Sequence, residues 1–198
     1  GNSPLYLRLG KLPQATLGHG FIVSGYSNRG TDTVKDALGS VLDIKLESGG
    51  LETLVNDVTD PRVYGARIHL KPLKNIDTPL INKIIVGATY VQDSEPQSGN
   101  KDDLTVYGID FELPICPGLA FYTDYAKIKD FGDGIALGLG GNLGQGFSSL
   151  VFKTELRDLN ANFIPGIFNP LYEITRAGTS TLQQAEDQKG WDMTAGWY

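Results

Sequence analysis

The chain has almost no cysteine: Cys116, in the turn-like stretch "PICPG", is the single one among 198 residues. An internal disulfide is therefore excluded, and with no His or Cys near it in sequence Cys116 reads as an inert thiol. Long apolar runs are lacking too. The densest, "LINKIIVGATYV", is short and interrupted, well below the roughly 20 apolar residues a membrane helix requires. That excludes a helical membrane protein but no membrane β-barrel, whose strands are apolar on one face only. Positive charge is sparse: the formal net charge is -6 and Lys and Arg are scattered, so no basic stripe could follow a phosphate backbone and nucleic acid is not an expected partner. An initiator Met and a positively charged, apolar leader are missing as well, so Gly1 is expected to open a mature secreted chain or an excised piece.

Glycine is plentiful, at 25 residues, and helical periodicity is nearly absent. Period-two alternation between turn signals predicts an all-β chain. Strands are expected near residues 4 to 10, 19 to 27, 40 to 48, 50 to 58, 62 to 72, 82 to 92, 104 to 115, 118 to 128, 134 to 143, 148 to 158 and 189 to 198. The five clearest have apolar rows free of charge: Leu42, Ile44, Leu46; Tyr64, Ala66, Ile68, Leu70; Tyr107, Ile109, Phe111, Leu113; Leu119, Phe121, Thr123, Tyr125; and Leu150, Phe152, Thr154, Leu156. The intervening rows hold Asp43, Lys45, Glu47, Arg67, His69, Lys71, Asp110, Glu112, Asp124, Lys153, Glu155 and Arg157. A slip of one residue would exchange the two faces, so each strand has a specified register.

Connections differ in length. "CPG" and "LGQG" are tight turns, whereas residues 92 to 103 and 159 to 188 are long. If neighbouring strands run up and down, tight turns fall on one rim and long loops on the other, as in membrane barrels; "LKNIDTPLI" departs from this, lying on the short rim without being tight. The same arrangement brings Tyr64, Tyr90, Tyr107 and Tyr125 to strand ends on one rim. A tyrosine band at one level of an apolar face suits a boundary between hydrocarbon and headgroups. The competing reading is a soluble all-β barrel or sandwich binding a small ligand or carbohydrate, with the same rows turned inward.

The stretches "TLGHGFIVSGYSN", "DPRVYGARIHLKPL", "VYGIDFELPI" and "FKTELRDLNANFIPGIFNPLYE" resemble those of bacterial outer-membrane β-barrel proteins of the porin-like kind. The resemblance implies an antiparallel up-and-down transmembrane β-barrel of about 10 to 12 strands. It would be one domain spanning residues 1 to 198, or part of a larger barrel, placed in the bacterial outer membrane. Its implied task is passive diffusion of small solutes or envelope structure. Partners would be membrane lipid and small solutes, with a homo-oligomer or other envelope proteins as further associations. In such barrels a terminal aromatic residue often follows alternate apolar positions; here Gly196, Thr194 and Asp192 share the row of Tyr198, which points to a chain continuing further.

On this reading Arg67, His69, Lys71, Asp110, Glu112, Asp124, Lys153, Glu155 and Arg157 line a lumen. Tyr64, Ile68, Leu70, Tyr90, Tyr107, Ile109, Phe111, Phe121, Tyr125 and Phe152 face lipid. No enzyme, cofactor or metal is expected. His19 and His69 have no His or Cys at ligand spacing, and His19 with Ser24 lacks both the G-x-S-x-G setting and an adjacent Asp. Asp130 and Asp133 in "KDFGDG" read as turn residues rather than calcium ligands. "NFIPGIFNPLYEI", inside 159 to 188, is too apolar for a free loop and is expected to fold inward as a constriction or to pack on a neighbouring subunit.

Overall fold

The computed structural model describes residues 4 to 29, 37 to 96, 103 to 145, 148 to 176 and 182 to 197. Ten strands form a single antiparallel sheet in chain order. They are β1 (Leu5–Gly10), β2 (Gly39–Leu46), β3 (Gly49–Val55), β4 (Val63–Leu70), β5 (Ile85–Asp93), β6 (Leu104–Cys116), β7 (Leu119–Ile128), β8 (Asp133–Gln145), β9 (Ser148–Leu159) and β10 (Gln188–Trp197). Helix includes a 3-10 turn at Ile81–Lys83 and the single turn α1 (Tyr172–Thr175). Among the described residues β1 and β10 each pair on one side only, so the up-and-down sheet is not closed on itself.

Local chemistry explains the turns. Glu47 and Ser48 alone connect β2 to β3, because Leu46 pairs with Gly49. Between β6 and β7, Gly118 adopts φ 82°, and a Cβ there would meet the Asn142 carbonyl oxygen at 2.2 Å; only glycine serves. Pro114, which has no N–H for the ladder, sits where the β6–β7 register shifts before Cys116, the bulge position a strand proline tolerates. Asp130 takes φ 63° in a turn closed by the Ile128 amide donating to the Gly132 carbonyl at 2.9 Å.

The two faces of the sheet have different fates. One is covered by two irregular segments, residues 11 to 28 and 160 to 176, which meet at a parallel bridge between Val23 and Phe168. Leu12, Leu17, Phe21, Val23 and Tyr26 of the first segment and Phe163, Ile167, Phe168 and Tyr172 of the second are buried. They pack with Leu54, Val63, Val91, Val106, Ile128 and Leu159 of the sheet in one core. The opposite face is bare among the described residues. At adjacent positions on β6, Ile109 is 61% exposed and Asp110 6%.

This architecture replaces the expected strand at 19 to 27. Phe21, Ile22 and Val23 are all buried, which no two-faced strand allows, and Gly18, Gly20 and Gly25 have positive φ that breaks any extended run. The residues pair only through isolated bridges, Ala15 with Tyr26 and Val23 with Phe168. The other ten expected strands each correspond to one of β1 to β10. Within 159 to 188 the stretch from Phe163 to Tyr172 folds onto the covered face, while residues 177 to 181 lie outside the described residues.

Candidate functional site

Below the apolar core, toward the tight-turn rim, the covered face is built from charges. Inward positions of β3, β4, β6, β7 and β9 supply Glu52, Arg67, Asp110, Glu112, Asp124, Lys153, Glu155 and Arg157. The Arg67 guanidinium donates through Nε and Nη2 to both oxygens of Asp110, at 2.9 and 2.7 Å, and through Nη1 to Glu52 at 2.7 Å. Fork geometry of this kind suits arginine and a carboxylate. Glu52 also accepts the Gly18 amide at 2.9 Å, so the ion pair grips the first covering segment.

His19 is the centre of the second group. Its Nδ1 lies 3.1 Å from Asp124 Oδ1 and its Nε2 3.0 Å from Glu112 Oε2. The ring stacks on Tyr122 with centroids 4.1 Å apart. Burial by itself would lower the imidazole, but the hydrogen bonds to Asp124 and Glu112 and their charges outweigh it and hold the pKa at about 9. His19 is therefore a cation at neutral pH, donating from both nitrogens. Its carbonyl accepts from Lys153 Nζ at 2.7 Å. Lys153 in turn reaches Glu155 at 2.8 Å, and Glu155 accepts the Tyr122 hydroxyl at 2.8 Å and is bonded by Arg157. Arg157 also meets Asp192 of β10 at 3.2 Å.

Small residues on the strands make room for this network. A Cβ on Gly138 would come within 2.1 Å of the Tyr122 ring, and one on Gly87 within 2.3 Å of Asp110 Oδ2. Asp124 Oδ2 is buried without a hydrogen-bond partner. The space beside it, between Gly18, Thr89, Asp110 and Asp124, is about 10 Å³, about the room one water needs.

A third group ties the second covering segment to the long-loop rim. The Tyr172 hydroxyl donates to Asp93 at 2.7 Å, Arg176 meets Asp93 at 3.3 Å and Glu173 at 2.5 Å, and the Tyr26 hydroxyl bonds Glu173. Burial first, and then the adjoining carboxylates, pushes both phenols far above their ordinary value, so both stay protonated and donate to those carboxylates.

Of the residues assigned to a lumen, Arg67, His69, Asp110, Glu112, Asp124, Lys153, Glu155 and Arg157 occupy the covered face, all in contact with another charged member of the network. Lys71 follows the end of β4, its amide donating to the Ser48 carbonyl at 2.8 Å. The ten residues assigned to lipid share the bare face: Ile68, Leu70, Tyr90, Tyr107, Ile109, Phe121 and Tyr125 are exposed, and Tyr64, Phe111 and Phe152 half-buried. Tyr90 stands opposite Tyr107, and the Tyr64 and Tyr90 hydroxyls both donate to Gln92, at 2.9 and 2.7 Å. Trp191 and Met193 of β10 extend this face.

Glu52 and Tyr122 escaped the sequence reading, although both stand in inward rows and strand parity would have found them. The Asp partner that His19 lacks in sequence arrives from residue 124 through the fold, which parity cannot reveal. Both His19 nitrogens being taken, the ring has no free ligand atom. Among the described residues no group of three or more His, Cys, Asp and Glu side chains converges as metal ligands. Compared with known proteins, the chain matches no family model, and no curated protein is similar to it.

Proposed function

We propose that the ten-stranded sheet is the wall of a porin-like β-barrel in the bacterial outer membrane, serving passive diffusion of small solutes or envelope structure, and not an enzyme. The observation that carries this reading is the bare face. From Leu5, Leu7 and Leu9 on β1 through Ile68, Leu70, Ile109, Phe121 and Leu137 to Trp191 and Met193 on β10, it exposes large apolar side chains across the whole width of the sheet. A mainly apolar surface of this extent, broken between the rims only by uncharged residues such as Thr53, Thr123 and Thr154, is costly in water and favourable in hydrocarbon. Charges in the same rows stand at strand ends on one rim, Lys127 and Asp133 beside the short connection 129 to 132 and Asp158 and Lys189 beside the long one 160 to 187, and the tyrosines lie toward that rim, where ring and hydroxyl can both be satisfied. Closure would require β1 and β10 to meet or further strands to join them.

The direct test is partition between aqueous buffer and detergent, with circular dichroism on the folded fraction, followed by planar-bilayer recording. A β-rich species that stays folded only with detergent or lipid, and then conducts, is the expected result. A monodisperse, folded protein in plain buffer would overturn the membrane reading and favour a soluble ligand-binding fold. Detergent dependence without conductance would leave envelope structure as the task.

A further inference from the structure

We infer that a solute crossing this protein passes along the two edges of the sheet, at β1–β2 and β9–β10, and not through the charged centre of the covered face. The inference rests on the membrane-barrel reading and names the route that reading leaves open. In the centre, the carboxylates of Glu52, Asp110, Glu112 and Glu155 are each engaged by Arg67, His19, Lys153 or Arg157. The first covering segment is clamped over them at Gly18 and His19. The free space there is about 10 Å³, room for about one water.

The edges differ. Between the first covering segment and the inward side of β1 and β2 runs a cleft of about 260 Å³, lined by Tyr6, Arg8, Gln14, Thr16 and Asp43. At the other edge, a cleft of about 190 Å³ opens between Pro165 of the second covering segment and β9–β10, lined by Arg157, Gln188 and Asp192 and wrapping around the sheet edge to Lys189 and Trp191 of the bare face. At about 30 Å³ per liquid water, each admits several waters or a small solute with part of its hydration shell. Their walls mix both charge signs, amides and the Tyr6 and Thr16 hydroxyls with apolar side chains such as Leu12, Val41 and Leu159, a lining that offers small polar solutes hydrogen-bond partners. Because β1 and β10 are the two ends of the sheet, any closure that brings them together sets the clefts side by side as one aqueous path.

Cysteine scanning in lipid vesicles and planar bilayers tests this, in a Cys116→Ser background because Cys116 is itself exposed. Arg8→Cys and Gln14→Cys probe the β1–β2 cleft, at exposed positions whose replacement disturbs no buried contact. Thr89→Cys, nearly isosteric, probes the centre. A charged, water-soluble thiol reagent is expected to modify the two cleft cysteines readily and to lower conductance by at least about twofold, leaving Thr89→Cys unmodified and its current unchanged. Block through Thr89→Cys with the cleft variants silent would overturn the edge route while the membrane reading stood. Detergent-dependent, folded protein that never conducts would overturn the passage itself, and with it the route.

Discussion

The two faces of one sheet solve opposite problems with the same backbone. On the covered face, ions taken from water are offset by partners at hydrogen-bond distance, and glycines at 87 and 138 leave the space those partners occupy. On the bare face, among the described residues, the charges and the hydrogen bonds between side chains are confined to the long-loop rim, with Lys189 paired to Asp158 and two tyrosines bonded to Gln92, and the apolar side chains between the rims wait on their surroundings for stabilisation. The first face tolerates few changes because each member of the network is held by others; the second should tolerate apolar substitution throughout and charge only near the rim. Burial of ions is thus made possible by specificity of contact, and burial of apolar surface by uniformity of chemistry.

The largest effect should come from breaking the covered face at its ion pair. Asp110→Ala takes the two-pronged carboxylate from the buried Arg67 guanidinium and leaves Glu52 as its carboxylate partner, and should cost about 3–4 kcal/mol, the lower part of the range for one partner removed from a buried pair; urea unfolding in detergent micelles measures it. Loss of under about 1 kcal/mol would mean that water reaches the pair and the face is not sealed.

Next in size is the titration of His19, which faces Glu112, Asp124, Asp110 and the Lys153 ammonium. Its folded pKa of about 9 lies above the ordinary 6.5. The stabilisation is therefore fully present below pH 6.5 and is lost as pH rises through 9, amounting to about 3 kcal/mol at about 1.4 kcal/mol per pH unit. Protease susceptibility of residues 11 to 28 should rise over that interval. His19→Gln should flatten the profile, and an unchanged profile in that variant would assign the effect elsewhere.

The bare face is tested by Ile109→Arg, which near the bilayer midplane should cost about 2–4 kcal/mol, against about 0–1 kcal/mol for Tyr90→Arg nearer the rim. Equal costs, read from folding in lipid vesicles, would show that the face does not sense membrane depth. Smallest of the four, Gly138→Val forces Tyr122 off the strand and should cost about 1–3 kcal/mol, the scale of overpacking. The His19 ring current on Tyr122 protons, followed by NMR, should vanish with it.

How much of this was legible in the chain differs by element. The Arg67, Asp110, Asp124 and Glu155 positions and their greasy neighbours were readable because a strand alternates with period two whatever surrounds it. The order of strands followed from short connections such as "CPG". Residues 19 to 27 misled because "FIVSGY" has strand-forming composition, yet the positive φ of Gly18, Gly20 and Gly25 bends it across the sheet instead. Nor could spacing show that His19 would meet Asp124 and Glu112, since 105 and 93 residues separate them.

The sequence by itself determined the all-β class, the parity of each strand and the chemical difference between the two rows, because these depend on local alternation and turn residues. Only the tertiary structure decided which row would be covered, which charges would meet and where space would remain. Those outcomes rest on segments 11 to 28 and 160 to 176 folding back over the sheet, and contacts between residues so distant along the chain are set by packing in three dimensions, which no local pattern encodes.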